Sequence, residues 1–137
     1  MGCFRRIGAA FLLTLVTGAG SCDETAPAAD AISVPSGREL RLLDVITNAP
    51  GAEGATARFR FVAPDLTPAD SEVAAGDMQV LCDTYALPRT EAMVPAPQQI
   101  IISLSAVEIP FGEVAPEVTQ FFEAYAITDG ACVWEVF

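Results

Sequence analysis

The chain has no histidine, and its seven basic residues, Arg5, Arg6, Arg38, Arg41, Arg58, Arg60 and Arg89, leave no lysine either. The first absence excludes Ser-His-Asp and Cys-His nucleophile systems and any histidine-bearing zinc site. The second excludes a Schiff base, a pyridoxal phosphate attachment and the lysine of a P-loop. Carboxylates, Tyr, Ser, Thr, Arg and thiols are what remain for chemistry. No apolar run beyond the N-terminal segment approaches the ~20 residues that a membrane-crossing helix needs. No cysteine pair has CxxC spacing, and Asp65-Leu66-Thr67-Pro68-Ala69-Asp70 lacks the alternating Asp and Asn with Gly of a calcium loop. The sequence therefore assigns no catalytic residue, no metal ligand and no cofactor.

What is present begins with a basic, then apolar, then small-residue N-terminus: Arg5 and Arg6, the stretch from Ile7 to Val16, then Gly18, Ala19, Gly20 and Ser21. That order makes residues 1–21 a signal peptide. Ala19-Gly20-Ser21-Cys22 resembles the bacterial lipobox, with Ala19 where Leu is usual. The resemblance implies a lipidated Cys22 as the mature N-terminus, hence a periplasmic protein anchored through lipid alone. Cleavage nearby without lipid gives a soluble periplasmic or secreted protein instead. Asp23 to Ser36, rich in Ala, Asp and Pro, reads as a tether, so the expected division is 22–36 tether and 37–137 one globular domain.

Removal of Arg5 and Arg6 takes the formal charge from −11 to −13. Such a surface repels nucleic acid and anionic headgroups, and a charge-steered partner would be basic or a cation. Export also simplifies the cysteines. Cys3 leaves with the signal, Cys22 takes lipid, and Cys82 and Cys132 remain as an expected disulfide in an oxidising compartment.

Arg38 to Ile46 reads as a strand although Leu40, Leu42, Leu43 and Ile46 fit neither period, and Asn48 to Gly54 must turn the chain. Ala57 to Ala63 alternates, with Phe59 and Phe61 on one side and Arg58 and Arg60 on the other. From about Ala74 to Ala86, Met78, Leu81, Cys82 and Tyr85 share one face of a helix that Pro88 is expected to end. Ile100 to Ile109 is apolar on both faces and reads as a central strand. Thr119 to Ile127 and Ala131 to Phe137 flank Asp129-Gly130, a type I′ hairpin turn that sets Tyr125 opposite Trp134 and Ile127 opposite Cys132. The expected fold is α+β: an antiparallel sheet of four to five strands with one main helix packed on one face.

Asp77-Met78-Gln79, Leu81-Cys82-Asp83, Ala86-Leu87-Pro88, Gln120-Phe121-Phe122-Glu123-Ala124-Tyr125 and Cys132-Val133-Trp134-Glu135 resemble an uncharacterised domain-of-unknown-function family of exported proteins from Rhodobacter-type alphaproteobacteria. The resemblance implies export and carries no activity. Asp77, Asp83, Glu123 and Glu135 are the carboxylates in those strings, and structural pairing with arginine is preferred to acid–base catalysis for all four. Trp134, Tyr125, Phe121 and Phe122 are expected in the core rather than along a ligand groove. Arg58 and Arg60 form a positive stripe on a negative body, a candidate interaction surface. The functional expectation is a non-catalytic envelope lipoprotein, a periplasmic interaction module with an envelope protein partner and no nucleic acid. Its rivals are a small carboxylate-dependent hydrolase and a binder of a small apolar or glycan ligand.

Overall fold

The computed structural model describes residues 32–51 and 54–136, with the side chains of residues 48–51 and 54 outside the description. The signal peptide, Cys22 and the tether up to residue 31 lie outside the described residues. Five strands form one sheet in the order of the chain: β1 (Arg41–Gly51), β2 (Gly54–Val62), β3 (Gln99–Ser105), β4 (Gln120–Thr128) and β5 (Ala131–Glu135). Every neighbouring pair is antiparallel except β2 and β3, which run parallel. A parallel pair needs a long crossover, and the helical segment between these strands supplies it. The architecture is α+β, with an open, mostly antiparallel sheet and one broken helix packed on one face.

The irregular pattern of β1 has a local cause. Leu42 pairs with Phe61 and Asp44 with Arg60, so Leu43 is the extra residue of a bulge. The bulge exchanges the sides of the residues up to Thr47, where a second shift follows, and places Val45 opposite Phe59 and Asp44 beside Arg60. The ladder continues to Gly51 and Gly54, later than the turn expected over Asn48 to Gly54. The connecting Ala52 and Glu53 lie outside the described residues.

The helical segment runs through a short turn at Pro68–Asp70, α1 (Ser71–Leu81), a widened turn at Cys82–Ala86 and α2 (Leu87–Thr90). Pro88 thus sits inside the last turn and does not stop the helix. Its ring cannot donate a hydrogen bond and would press on the carbonyl four residues back. Just before it, the Leu87 N–H reaches back five residues to the Cys82 carbonyl, and this wider turn makes room for the ring.

The core lies between this helix and one face of the sheet. Phe59, Phe61, Ile100, Ile102, Leu104 and Tyr125 meet Ala74, Met78, Leu81 and Tyr85. Tyr85 stands edge-on to Phe59 and Phe61, with centroids 6.4 and 5.5 Å apart, a favoured aromatic arrangement. All seven residues of β3 are buried, as its central place requires. Asp129 and Gly130 both have positive φ, 51° and 72°, and the hairpin they close sets Tyr125 opposite Trp134 and Ile127 opposite Cys132. Cys82 and Cys132 form a disulfide across 50 residues of sequence, with Cα atoms 6.1 Å apart.

Ile32 and Val34 also pack against this core, inside the stretch read as tether. Ser36 donates from its backbone N–H and its hydroxyl to the buried Asp77 carboxylate, at 3.0 and 2.5 Å. These bonds fasten the beginning of the described chain to α1.

Candidate functional site

The four candidate carboxylates are placed separately, and each has a structural partner. Asp77 faces Arg38 Nε at 3.6 Å, and the same guanidinium reaches Asp65 at 3.1 Å and Asp70 at 3.5 Å. Asp83 accepts hydrogen bonds from Gln79 Nε2 at 3.0 Å and from the Cys132 backbone N–H at 3.3 Å. Glu123 accepts a bond from the indole N–H of Trp134, and Glu135 accepts one from Gln99 Nε2 at 2.8 Å. Arginine pairing thus describes Asp77 alone; the other three are held by neutral donors. Glu123 finds the indole because Tyr125 and Trp134 are directly paired, which leaves Glu123 diagonal to Trp134 on the same face. Tyr125 lies near Glu123 and Asp83. Burial, then the Glu123 and Asp83 charges, raise its phenol well above the usual range and keep it protonated.

The other face of the sheet carries no helix. Its rows follow from register: Asp44, Arg60, Ser103 and Phe122 lie across one row, and Ile46, Arg58, Ile101, Ala124 and Glu135 across the next. The loop between β3 and β4 folds over part of this face and brings Ile109, Pro110 and Phe111 against it. Arg58 and Arg60 both lie over the Phe111 ring, their guanidinium carbons 5.8 and 5.6 Å from its centroid.

The two arginines of this stripe have different surroundings. Arg60 is buried, pairs with Asp44 at 2.8 Å and donates to the carbonyl of Ile109. Its charge is satisfied and it clips the loop to the sheet. Arg58 is half-buried, has no carboxylate within 4.0 Å among the described residues, and keeps its buried Nε without a hydrogen-bond partner. Burial, and then the Arg60 charge, lower its guanidinium pKa below the ordinary arginine value. Arg58 lines an open depression of about 450 Å³ with Ile101, Gln120, Phe121 and Phe122, and a second of about 220 Å³ with Arg60, Phe111 and Glu113. Phe111 is 55% exposed and Phe122 43% exposed. Phe122 is therefore outside the core in which the sequence placed it, and Trp134, at the sheet edge, is 54% exposed.

No group of three or more acidic or thiol side chains with metal-binding geometry occurs among the described residues. Among the described residues the arrangement offers one unpaired cation, Arg58, in largely apolar surroundings. Nothing in the sequence distinguished Arg58 from Arg60, because their difference depends on the bulge that delivers Asp44 to one row and not the other.

These features define a class: a small α+β domain whose sheet has a helix on one face and none on the other. The chain belongs to a family of unknown function, DUF6497, whose model matches residues 16–137. Comparison with curated proteins and with solved structures finds no match.

Proposed function

We propose that this chain is an exported, lipid-anchored and non-catalytic module of the envelope of Rhodobacter-type alphaproteobacteria, which contacts a periplasmic protein through the helix-free face of its sheet. The observation that carries this reading is Arg58: a half-buried guanidinium without a carboxylate partner among the described residues, beside exposed Phe111 and Phe122. Exposed aromatic residues around a desolvated arginine have the composition of interface anchors. The candidate carboxylates support the same reading, because their contacts hold the sheet edge, the hairpin and the N-terminal segment in place. Lipidation at Cys22 would keep the module at the membrane and place Cys82 and Cys132 in an oxidising compartment.

A photocrosslinking residue at position 122, introduced in intact cells, tests the contact. Capture of one discrete envelope protein, weakened by Arg58→Gln in a folded variant, is the expected result. Capture that is equal from position 72, exposed on α1 on the other side of the sheet, would count against it. Turnover of an ester, glycan or peptide that disappears in folded Asp83→Asn or Glu123→Gln protein would overturn the reading in favour of a hydrolase. Labelled palmitate incorporated equally by wild type and Cys22→Ala would remove the anchor.

A further inference from the structure

We propose that the depression beside Arg58 is a binding site for a monocarboxylate carried on an apolar body, of the size of a phenylpropionic or medium-chain fatty acid. This deepens the reading above and rests on it only for the choice of face.

Charge defines the first half of the ligand. Arg38, Arg41 and Arg60 each lie within 4.0 Å of a carboxylate. Arg58 does not among the described residues, although the chain has eighteen acidic residues. A desolvated guanidinium without a counter-charge is costly, and a carboxylate that meets its planar fork with two hydrogen bonds relieves that cost. Glu113 lines the neighbouring depression but lies beyond pairing distance, and Glu135, in the same row but three strands away with Ile101 and Ala124 between, is held by Gln99. Arg60 is already neutralised by Asp44, so the site has one positive charge to offer. A cation would meet the unpaired Arg58 charge, and a dianion would leave one charge uncompensated in apolar surroundings.

Shape defines the second half. Ile101 and Phe122 line the depression, and its volume of about 450 Å³ falls within the span of small-ligand sites. Phe111 stands on the far side of Arg58 and closes the guanidinium from one side. An apolar body lying on Phe122 and Ile101 puts its carboxylate at Arg58. A neutral sugar would place hydroxyl groups against these apolar side chains and leave the charge unmet.

The test is a titration of the purified exported protein, disulfide intact, followed by NMR. The probes are 3-phenylpropionate and the uncharged 3-phenylpropanol, which has the same apolar body. The acid should give saturating shifts at Ile101, Phe111 and Phe122 and bind roughly tenfold or more tightly than the alcohol. Arg58→Gln should reduce the acid to the level of the alcohol, Arg58→Lys should be intermediate, and Arg41→Gln should bind as wild type. Unchanged Tyr125 and Cys132 resonances would show that each variant is folded. Equal binding of acid and alcohol, no saturable binding at millimolar concentration, or full acid binding by folded Arg58→Gln would overturn the proposal. If acid binding follows Arg58 while crosslinking at position 122 finds no partner, the ligand site stands and the partner reading fails. If crosslinking depends on Arg58 while the acid does not bind, the reverse holds.

Discussion

The side-chain carboxylate of Asp83 accepts the backbone N–H of Cys132 at 3.3 Å, while Gln79, one turn earlier on the helix, donates to the Cys132 carbonyl at 3.1 Å. Cys132 is a non-hydrogen-bonded partner of Ile127, so both of its backbone groups point away from β4, toward the open edge of the sheet. Two helix side chains occupy them, and the disulfide fixes the same residue covalently. A sheet edge is thus closed against further strands at its middle.

Loss of this cap should loosen the edge more than it unfolds the domain. Asp83→Ala is expected to cost about 1 kcal/mol, the net worth of one such hydrogen bond. Hydrogen exchange at the Cys132 amide should accelerate by more than the global change accounts for. A rate that changes only in step with global stability would count against a local edge cap.

The disulfide should contribute more. For a loop of 50 residues the chain-entropy relation gives about 4 kcal/mol. Denaturant midpoints of wild type and of the Cys82→Ser, Cys132→Ser double variant are expected to differ accordingly. A difference under about 1 kcal/mol would mean that the edge contacts already restrict the open form.

Local chemistry in the sequence made much of this fold legible, and long-range registry hid the rest. Asp129-Gly130 dictates its turn, the turn dictates the register, and the register places Cys132 on the face that receives the helix. The bulge at Leu43 is invisible in a hydrophobic pattern, since one extra residue shifts the period and leaves only a mixture of apolar positions. The parallel pairing of β2 with β3 is likewise a property of the crossover. Gln79 and Asp83 are four apart on the helix, but their common partner, Cys132, is 49 to 53 residues away and helix spacing alone does not reveal it. Arg58 and Arg60 read as equivalent until Asp44 is placed.

Asp70 should give the acid limb of unfolding a recognisable component. The Thr67 backbone N–H, 2.8 Å from its carboxylate, lowers its pKa first, followed by the Thr67 hydroxyl at 2.9 Å, and Arg38 adds to the lowering. The folded pKa is therefore below the ordinary 3.8. Its contribution is fully present above that value and is lost as pH falls through the folded pKa, where the unfolded chain has already taken up the proton. Wild type should be more stable than Asp70→Asn near neutral pH, and the two curves should converge below about pH 3.8. A difference that persists unchanged in acid would assign the effect to something other than ionisation.

Asp77 is the buried centre of the N-terminal clasp. Asp77→Ala removes the acceptor of both Ser36 bonds and one of the three carboxylates around Arg38. Asp65 and Asp70 remain for the guanidinium, so the cost belongs at the low end for breaking a buried pair, about 3 kcal/mol. Exchange of the Ser36 and Arg38 amides should rise together. A loss below about 1 kcal/mol, with those amides still protected, would show that Ile32 and Val34 hold the segment without the clasp.

Arg58 and Arg60 should respond in opposite ways to the same substitution. Arg60→Gln breaks the bond to the Ile109 carbonyl and leaves Asp44 without its partner, and it weakens the packing of the β3–β4 loop through Phe111. The expected cost is roughly 3 kcal/mol, with Ile109 and Phe111 released toward solvent. Arg58→Gln removes a half-buried charge that no carboxylate of the described residues balances, so the expected change is within about 0.5 kcal/mol of wild type or slightly stabilising. Denaturant unfolding of both variants, with exchange in the loop from residue 106 to 119, measures the contrast. Comparable destabilisation by both would make Arg58 a structural residue whose partner lies within the fold. A neutral Arg58→Gln beside a damaging Arg60→Gln would leave Arg58 as a charge that the fold does not need, as binding residues can be.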